Sequence, residues 1–444
     1  VRRARYDRDD RCGRARGGNG GTVSVVKPPL STTMETSVPK RSPALFVPFR
    51  SRDFRLLWFG LLVSNTGTWM QITALGYLVV KMAGTPALAS LDVGILGACS
   101  AVPVIALSPL AGVVADRFPR RLVLFWTNGF IVVAALVLAI LTSTGHITLW
   151  EIFVLSSIRA ATAAFDAPAR QSWVPLLVPR EALGNAIGLN SVAFNAPSVL
   201  GPPVAGLLIL SVGVAASFYI NAVLTFGVVA ALVFMKPTPP SSTVREGVLA
   251  SILAGVRYLL GHPVLRSVLA MLVVTCLLVR PYAQLLPAYA AHVVHVDARG
   301  LGILLAATGA GAIVGSLITA FVGADRRAIV WFVSALAMAL GTIVLGTVHV
   351  FAVAVGVLVV IGCAVLSFAG SSNVMLQSLS PDDMRGRAIS VFSMIILGLV
   401  PAGSLVLGSL ATVAGLEASF VSGGVVAIVV AVAIWATNPS LRAA

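Results

Sequence analysis

Charge is what this chain has least of. Asp, Glu, Lys and Arg make up 11% of its 444 residues while 58% are hydrophobic, too little polar surface to cover a water-soluble protein of this length. The solvent for most of it must be lipid. Cysteine is equally scarce: Cys12, Cys99, Cys276 and Cys363 stand far apart, three of them inside apolar runs, which leaves neither a disulfide framework nor a thiolate metal site. Enzyme signatures are missing as well. There is no Gly-x-x-x-x-Gly-Lys-Ser/Thr loop for ATP, no His-Glu-x-x-His and no Gly-x-Ser-x-Gly elbow. Any work done against a gradient must therefore draw on another gradient. His292 and His295 lack neighbouring Cys or clustered carboxylates, so neither a metal nor a cofactor is expected.

What the chain does have is long apolar runs, at about 54–83, 87–113, 121–143, 147–168, 182–211, 214–235, 264–291, 300–323, 328–347, 350–373, 385–412 and 416–437. Each is long enough for a crossing of about 20 residues. The expected fold is an all-α membrane protein with twelve transmembrane helices. The net charge of +15 would suggest nucleic acid in a soluble protein, but in a membrane protein Lys and Arg gather on the cytoplasmic side. Their positions favour the second reading. One set of connections holds "DRFPRR", Arg170 and Arg180, "ADRRA" and "DDMRGR", together with both termini and the central linker; the other holds only Lys81 and Arg299. Both termini are thus expected in the cytoplasm, with the lipid bilayer as partner, no nucleic acid and no required oligomer.

Residues 1–50 have no apolar period and read as a disordered basic cytoplasmic tail, "VRRARYDRDDRCGRARGGNGG" followed by Pro, Ser and Thr. The basic stretch is not followed by an apolar run, so it is not a signal peptide; one reading starts translation at Met34. The linker 236–263 opens with Pro and Ser and continues as an amphipathic helix from about Arg245 to Leu260. It divides two six-helix bundles, 51–235 and 264–444, the second ending in a short tail. Shifting residues 177–206 by 202 matches nine of thirty positions, including Pro179/Pro381, Gly184/Gly386, Gly201/Gly403 and Gly206/Gly408. Duplicated membrane halves are the signature of carriers that expose a central site alternately to the two sides.

Several departures from the apolar background are candidates for function. Within "LSPLAGVVADRFPRRLVLFW", residues 107–126, Gly112 permits close helix approach, Asp116 can face a helix N-terminus, and Arg117, Arg120 and Arg121 can hold carboxylates across the cytoplasmic mouth. Asp166, at the same end of span four, is the expected partner of that cluster. The arginines alone would also satisfy the positive-inside rule. In Gly201-Pro202-x-x-Ala205-Gly206, Pro202 removes a backbone donor and the small residues allow tight packing against the opposite half. Gly309-x-Gly311-x-x-x-Gly315 is a helix-packing face, since no strand precedes it.

Arg159, Asp92 and Arg280 are charges within apolar runs, where an unpaired ion is costly. Asp92 could carry a proton, pair with Arg280 as an outer gate, or snorkel to water. Asn65, Trp69 and Gln71 in span one, Tyr282 and Gln284 in span seven, and Asn373 and Gln377 in span ten are candidates to line a central cavity for a small-molecule substrate. Trp and Tyr also settle at membrane interfaces without any ligand.

Gly112-x-x-x-Asp116-Arg117-x-Pro119-Arg120-Arg121 resembles motif A of the major facilitator superfamily, with Pro119 at the usual second Gly. Gly201-Pro202-x-x-Ala205-Gly206 is similar to motif C of its antiporters, with Ala205 for Gly. Arg159 resembles the motif B arginine tied to proton coupling, although "AATAAF" after it lacks that motif's Gln and Gly. "SNTGTWMQITALGYLVV" and "DAPARQSWVPLLVPREALGNAIGLNS" resemble the branch holding enterobactin exporters and macrolide efflux proteins. The resemblance, which covers nearly everything after residue 50, implies export of a drug-like or siderophore-like molecule by proton antiport across a bacterial inner membrane. An uptake system, a uniporter or a non-transporting membrane scaffold or sensor would keep the same fold.

Overall fold

The computed structural model describes residues 46–235 and 248–442, and every regular element among them is helical. Residues 1–45, Met34 among them, and 236–247 lie outside the described residues. Six long helices form the first half: α1 (Arg52–Met82), α2 (Pro86–Arg117), α3 (Arg120–Ser143), α4 (Leu149–Trp173), α5 (Leu183–Ser211) and α6 (Val214–Phe234). After α7 (Val248–Gly261), the second half consists of α8 (Pro263–Leu278), α9 (Tyr282–His292), α10 (Ala298–Phe321), α11 (Arg327–Thr347), α12 (Phe351–Ser378), α13 (Asp382–Ala414) and α14 (Leu416–Thr437). With α8 and α9 taken as one span, 10 helices among the described residues are long and apolar enough to cross a membrane. Helices α1 and α4 match them in length, at 31 and 25 residues, but carry more polar side chains.

The helix limits follow from local chemistry. Ser51, Thr85 and Asp297 cap α1, α2 and α10 by accepting from backbone N–H groups three residues on. Thr148 and Glu151 form a capping box at α4. Helices α2 and α3 are joined by only two residues, Phe118 and Pro119. The fixed ring of Pro119 presets the entry to α3, and its carbonyl accepts from Leu122 at 2.9 Å. Gly213 and Gly415 stand at the starts of α6 and α14 with φ of 107° and 88°, a backbone region that disfavours side chains. The two glycines are 202 residues apart, the offset that superimposes the halves.

Two local features depart from the sequence reading. Val47–Arg50 form a short turn and Phe49 packs on Phe54 and Trp58, so ordered chain begins before residue 50. The seventh span, expected to be continuous, breaks at Val279-Arg280-Pro281. Pro281 has no N–H to donate and disfavours helical backbone at the residue before it, and the Arg280 N–H turns back to the Thr275 carbonyl at 2.8 Å. The linker helix α7 packs on α8 and α13, with Leu259 fully buried and the Tyr258 hydroxyl donating to Leu379 O.

Helix pairing repeats between the halves. Helix α2 packs on α4 as α10 does on α12, and α3 on α6 as α11 does on α14. Across the seam α2 packs on α13 and α5 on α10, one contact made twice under exchange of halves. The glycines show it residue by residue. A Cβ added to Gly206 would meet Ala298 O, and one on Gly408 would meet Ser90 O; Gly302 stands against Pro202 O, and Gly94 against Ser404 O. Gly201 rests on α1 at Thr66 O, and Gly403 rests on α8 at Leu277 O. Gly311 and Gly315 seat α10 on α12 at Val359 and Cys363, the helix-packing role expected of that run.

Candidate functional site

The close backbone approaches across the seam lie in the half of the bundle away from Arg120 and Arg121. Gly76 of α1 adds a contact there, against the ring of Pro287 in α9. Toward the basic end the same helices stand clear: Gly184 and Gly188 of α5 and Gly386 of α13 have nothing within 4 Å of an added Cβ. The close glycine contacts of the seam thus gather at one end. Between the halves lies a cavity of about 520 Å³.

Both halves supply its walls. Trp69, Gly97, Ser100, Arg159, Phe194, Asn195 and Ser198 come from the first, and Arg280, Tyr282, Gln284, Thr308 and Gly309 from the second, with aliphatic side chains between them. Arg159 comes from the middle of α4, and the break in the seventh span presents Arg280. No carboxylate is among the described lining residues. Arg159 Nε and Arg280 Nη1 are shielded from solvent and have no hydrogen-bond partner among the described residues, and neither does Gln284 Oε1. A guanidinium keeps its charge under all ordinary conditions, so the cavity holds two fixed cations on opposite walls.

Sequence reasoning placed Trp69, Tyr282, Gln284, Arg159 and Arg280 as candidates, and the structure gathers them here. The other polar candidates are spent on packing. Gln71 accepts from Asn221 Nδ2 in a buried chain that continues through Thr225 to Ser64, tying α1 to α6. Asn65 donates to Ala193 O of α5 at 3.2 Å. Asn373 and Gln377 bond to each other along α12 and do not line the cavity. Asp92 is half-buried and does not line it either, and it forms no ion pair with Arg280. Asn195, Ser198, Ser100 and Thr308 were missed; their one signal was a small polar side chain inside an apolar run.

At the basic end the surroundings of Gly112 and the side chains of Asp116 and Arg117, within the last turns of α2, lie outside what the structure describes. Arg121 donates to Val233 O at 2.8 Å, where the last carbonyls of α6 need donors. Arg120 is buried. Asp166, expected to serve the Arg117–Arg121 cluster, has its ion pair with Arg170 one turn along α4, at 2.5 Å, and also accepts from Asn128 at 2.8 Å and Thr127 at 3.3 Å. It binds α4 to α3. One turn of helix brings Arg170 within reach of it without spanning a loop.

Two bundles related by exchange, a seam of small residues and a central cavity between the bundles define a transporter of the major facilitator class. Residues 43–443 match the family described as transmembrane secretion effector, and the chain belongs to that family. It is 27% identical over 387 residues to the multidrug efflux pump Tap of Mycolicibacterium fortuitum, covering 83% of this chain and 91% of that protein. It is 26% identical over 358 residues to the enterobactin exporter EntS of Citrobacter koseri, covering 80% and 82%. Among solved structures, a POT family transporter in complex with a thioalcohol-conjugated peptide matches 88% of this chain and 96% of its own with a TM-score of 0.70 at 13% identity. A bacterial homologue of the human lysosomal transporter Spinster, inward-facing and unoccupied, matches 86% and 96% with a TM-score of 0.65 at 14% identity. At such identities the structures speak for the fold alone.

Proposed function

We propose that this transporter exports an amphipathic small molecule, drug-like or siderophore-like, from the cytoplasm across a bacterial plasma membrane. The observation that carries the reading is the cavity between the halves, with the glycine contacts packing the seam at the end away from Arg120. On this reading α1 and α4 also cross the bilayer, giving twelve spans in bundles 51–235 and 264–444, and the basic end faces the cytoplasm as the positive-inside rule requires. The names of the relatives support the direction, since Tap is a pump for efflux and EntS an exporter. Pro202 and Gly206 form the packing surface on which the halves rock, against Gly302 and Ala298 of α10, whereas Gly201 faces α1 of its own half and not the opposite half expected of it.

Proton antiport supplies the energy on this reading. A guanidinium does not release its proton, so Arg159 and Arg280 do not carry it. Asp166 is occupied by four hydrogen bonds. Asp92, half-buried in α2 and without an ion pair among the described residues, is the proposed carrier. The test is flux of ethidium and of a catechol siderophore in proteoliposomes under an imposed pH gradient. Wild type is expected to accumulate one of them, and Asp92→Asn to lose gradient-driven accumulation while keeping downhill exchange. A purified protein that moves neither compound would favour a membrane scaffold.

A further inference from the structure

We infer that the molecule carried is an amphipathic anion, its negative group held between Arg159 and Arg280 and its ring system lying on Trp69, Phe194 and Tyr282. The inference deepens the proposed function and rests on the cavity being the transport site. Two fixed positive charges face a largely aliphatic cavity from opposite halves, and no carboxylate among the described residues of its walls balances them. Ions in a medium of low dielectric need a partner, and unpaired like charges raise each other's energy. No carboxylate among the described residues supplies that partner: Arg159 Nε and Arg280 Nη1 are shielded donors without an acceptor there, Arg280 has the neutral Cys276 thiol beside it, and Asp92 lies elsewhere. An anion that enters the cavity meets both.

The remaining lining fits the rest of such a molecule. Trp69, Phe194 and Tyr282 offer flat apolar faces, while Gln284, Asn195, Ser198 and Thr308 offer a few neutral polar groups. A cation would face repulsion from both arginines with no carboxylate to offset it. A neutral ring compound would fill the cavity and leave both guanidinium groups unsatisfied. Because the arginines sit on different halves, an anion bridging them also joins the two bundles. It would therefore bind best in the state where the halves hold both guanidinium groups on the cavity.

The experiment compares three probes of one shape, 2-naphthoate, 2-naphthamide and 2-naphthylmethylamine, by equilibrium binding to the full chain in detergent, corrected against empty micelles. Naphthoate is expected to bind at least tenfold more tightly than naphthamide, with the amine weakest. Arg159→Gln and Arg280→Gln are each expected to erase most of that preference while naphthamide affinity stays within about twofold, which shows that the variants are folded. Arg159→Lys and Arg280→Lys, which keep the charge, should retain part of it. Equal or tighter binding of the amide or amine to wild type overturns the inference, as does an anion preference that survives in the double Gln variant. So does competition by chloride as effective as naphthoate on a molar basis, which would make the site one for inorganic anions. Transport stands or falls separately. Naphthoate binding without flux of any compound would sink the export reading and leave only an anion-binding cavity, whereas flux of ethidium with no anion preference would keep export and overturn the anion.

Discussion

Gly206 of α5 stands so close to Ala298 at the start of α10 that a methyl group added to it would lie 2.5 Å from the Ala298 carbonyl oxygen. Backbone on both sides leaves nothing flexible to give way, so Gly206→Ala must push the halves apart at this end of the seam. With a single cysteine at Ser100 in a background free of other thiols, labelling by an impermeant reagent from the side opposite Arg120 should rise several-fold on adding Gly206→Ala. The twin substitution Gly408→Ala, against Ser90, should act in the same direction. Unchanged labelling in both would mean that this seam is not the gate.

The Asp166–Arg170 pair is a packing device between α4 and α3. Asp166→Asn leaves the buried Arg170 without its counter-ion and should destabilise the protein by about 3 kcal/mol, read as a lowered unfolding temperature in detergent. Asp166→Asn with Arg170→Gln should cost clearly less than the sum of the two single changes, because the buried charge has gone with its partner. Additive losses would contradict the pairing.

Gln71→Leu separates a cavity role from a structural one. It leaves the Asn221 side chain short of a partner in the α1–α6 interface, a loss of about 1–3 kcal/mol. Binding of naphthalene probes should be unchanged, since Gln71 does not reach the cavity. A changed probe preference with unchanged unfolding temperature would reverse the assignment.

Pro281→Ala restores a backbone donor at the break between α8 and α9. If the helix then runs through, Arg280 rotates away from the cavity, and proteoliposome flux should fall by roughly tenfold, the scale of one charge-assisted contact of about 1.5 kcal/mol. Thermal stability should stay near wild type. Normal flux in Pro281→Ala would mean that the break is incidental to presenting Arg280.

The spans and their duplication were legible because hydropathy and glycine spacing are properties of the chain taken in order. Gly201, Gly206, Gly403 and Gly408 could be paired by subtraction, and their neighbours in space pair the same way. The cavity was legible only in part. Polar residues in an apolar span announce themselves, but successive residues turn about 100° around a helix, so Trp69 and Gln71 leave α1 in different directions. One meets the cavity and the other meets Asn221. The interruption at Pro281 had its signal in the proline itself, yet several helices here carry proline inside them, such as Pro202 in α5 and Pro401 in α13, and continue. Asp166 was read for its charge relative to the nearest loop, whereas its neighbours on α3 and one turn along α4 are what bind it.

The twinned seam gives the molecule two bearings, α2 on α13 and α5 on α10. A body turning on paired bearings tilts as a seesaw does, so parting one mouth draws the other together. On the export reading, that linkage keeps the two mouths from standing open together whether or not the cavity is filled.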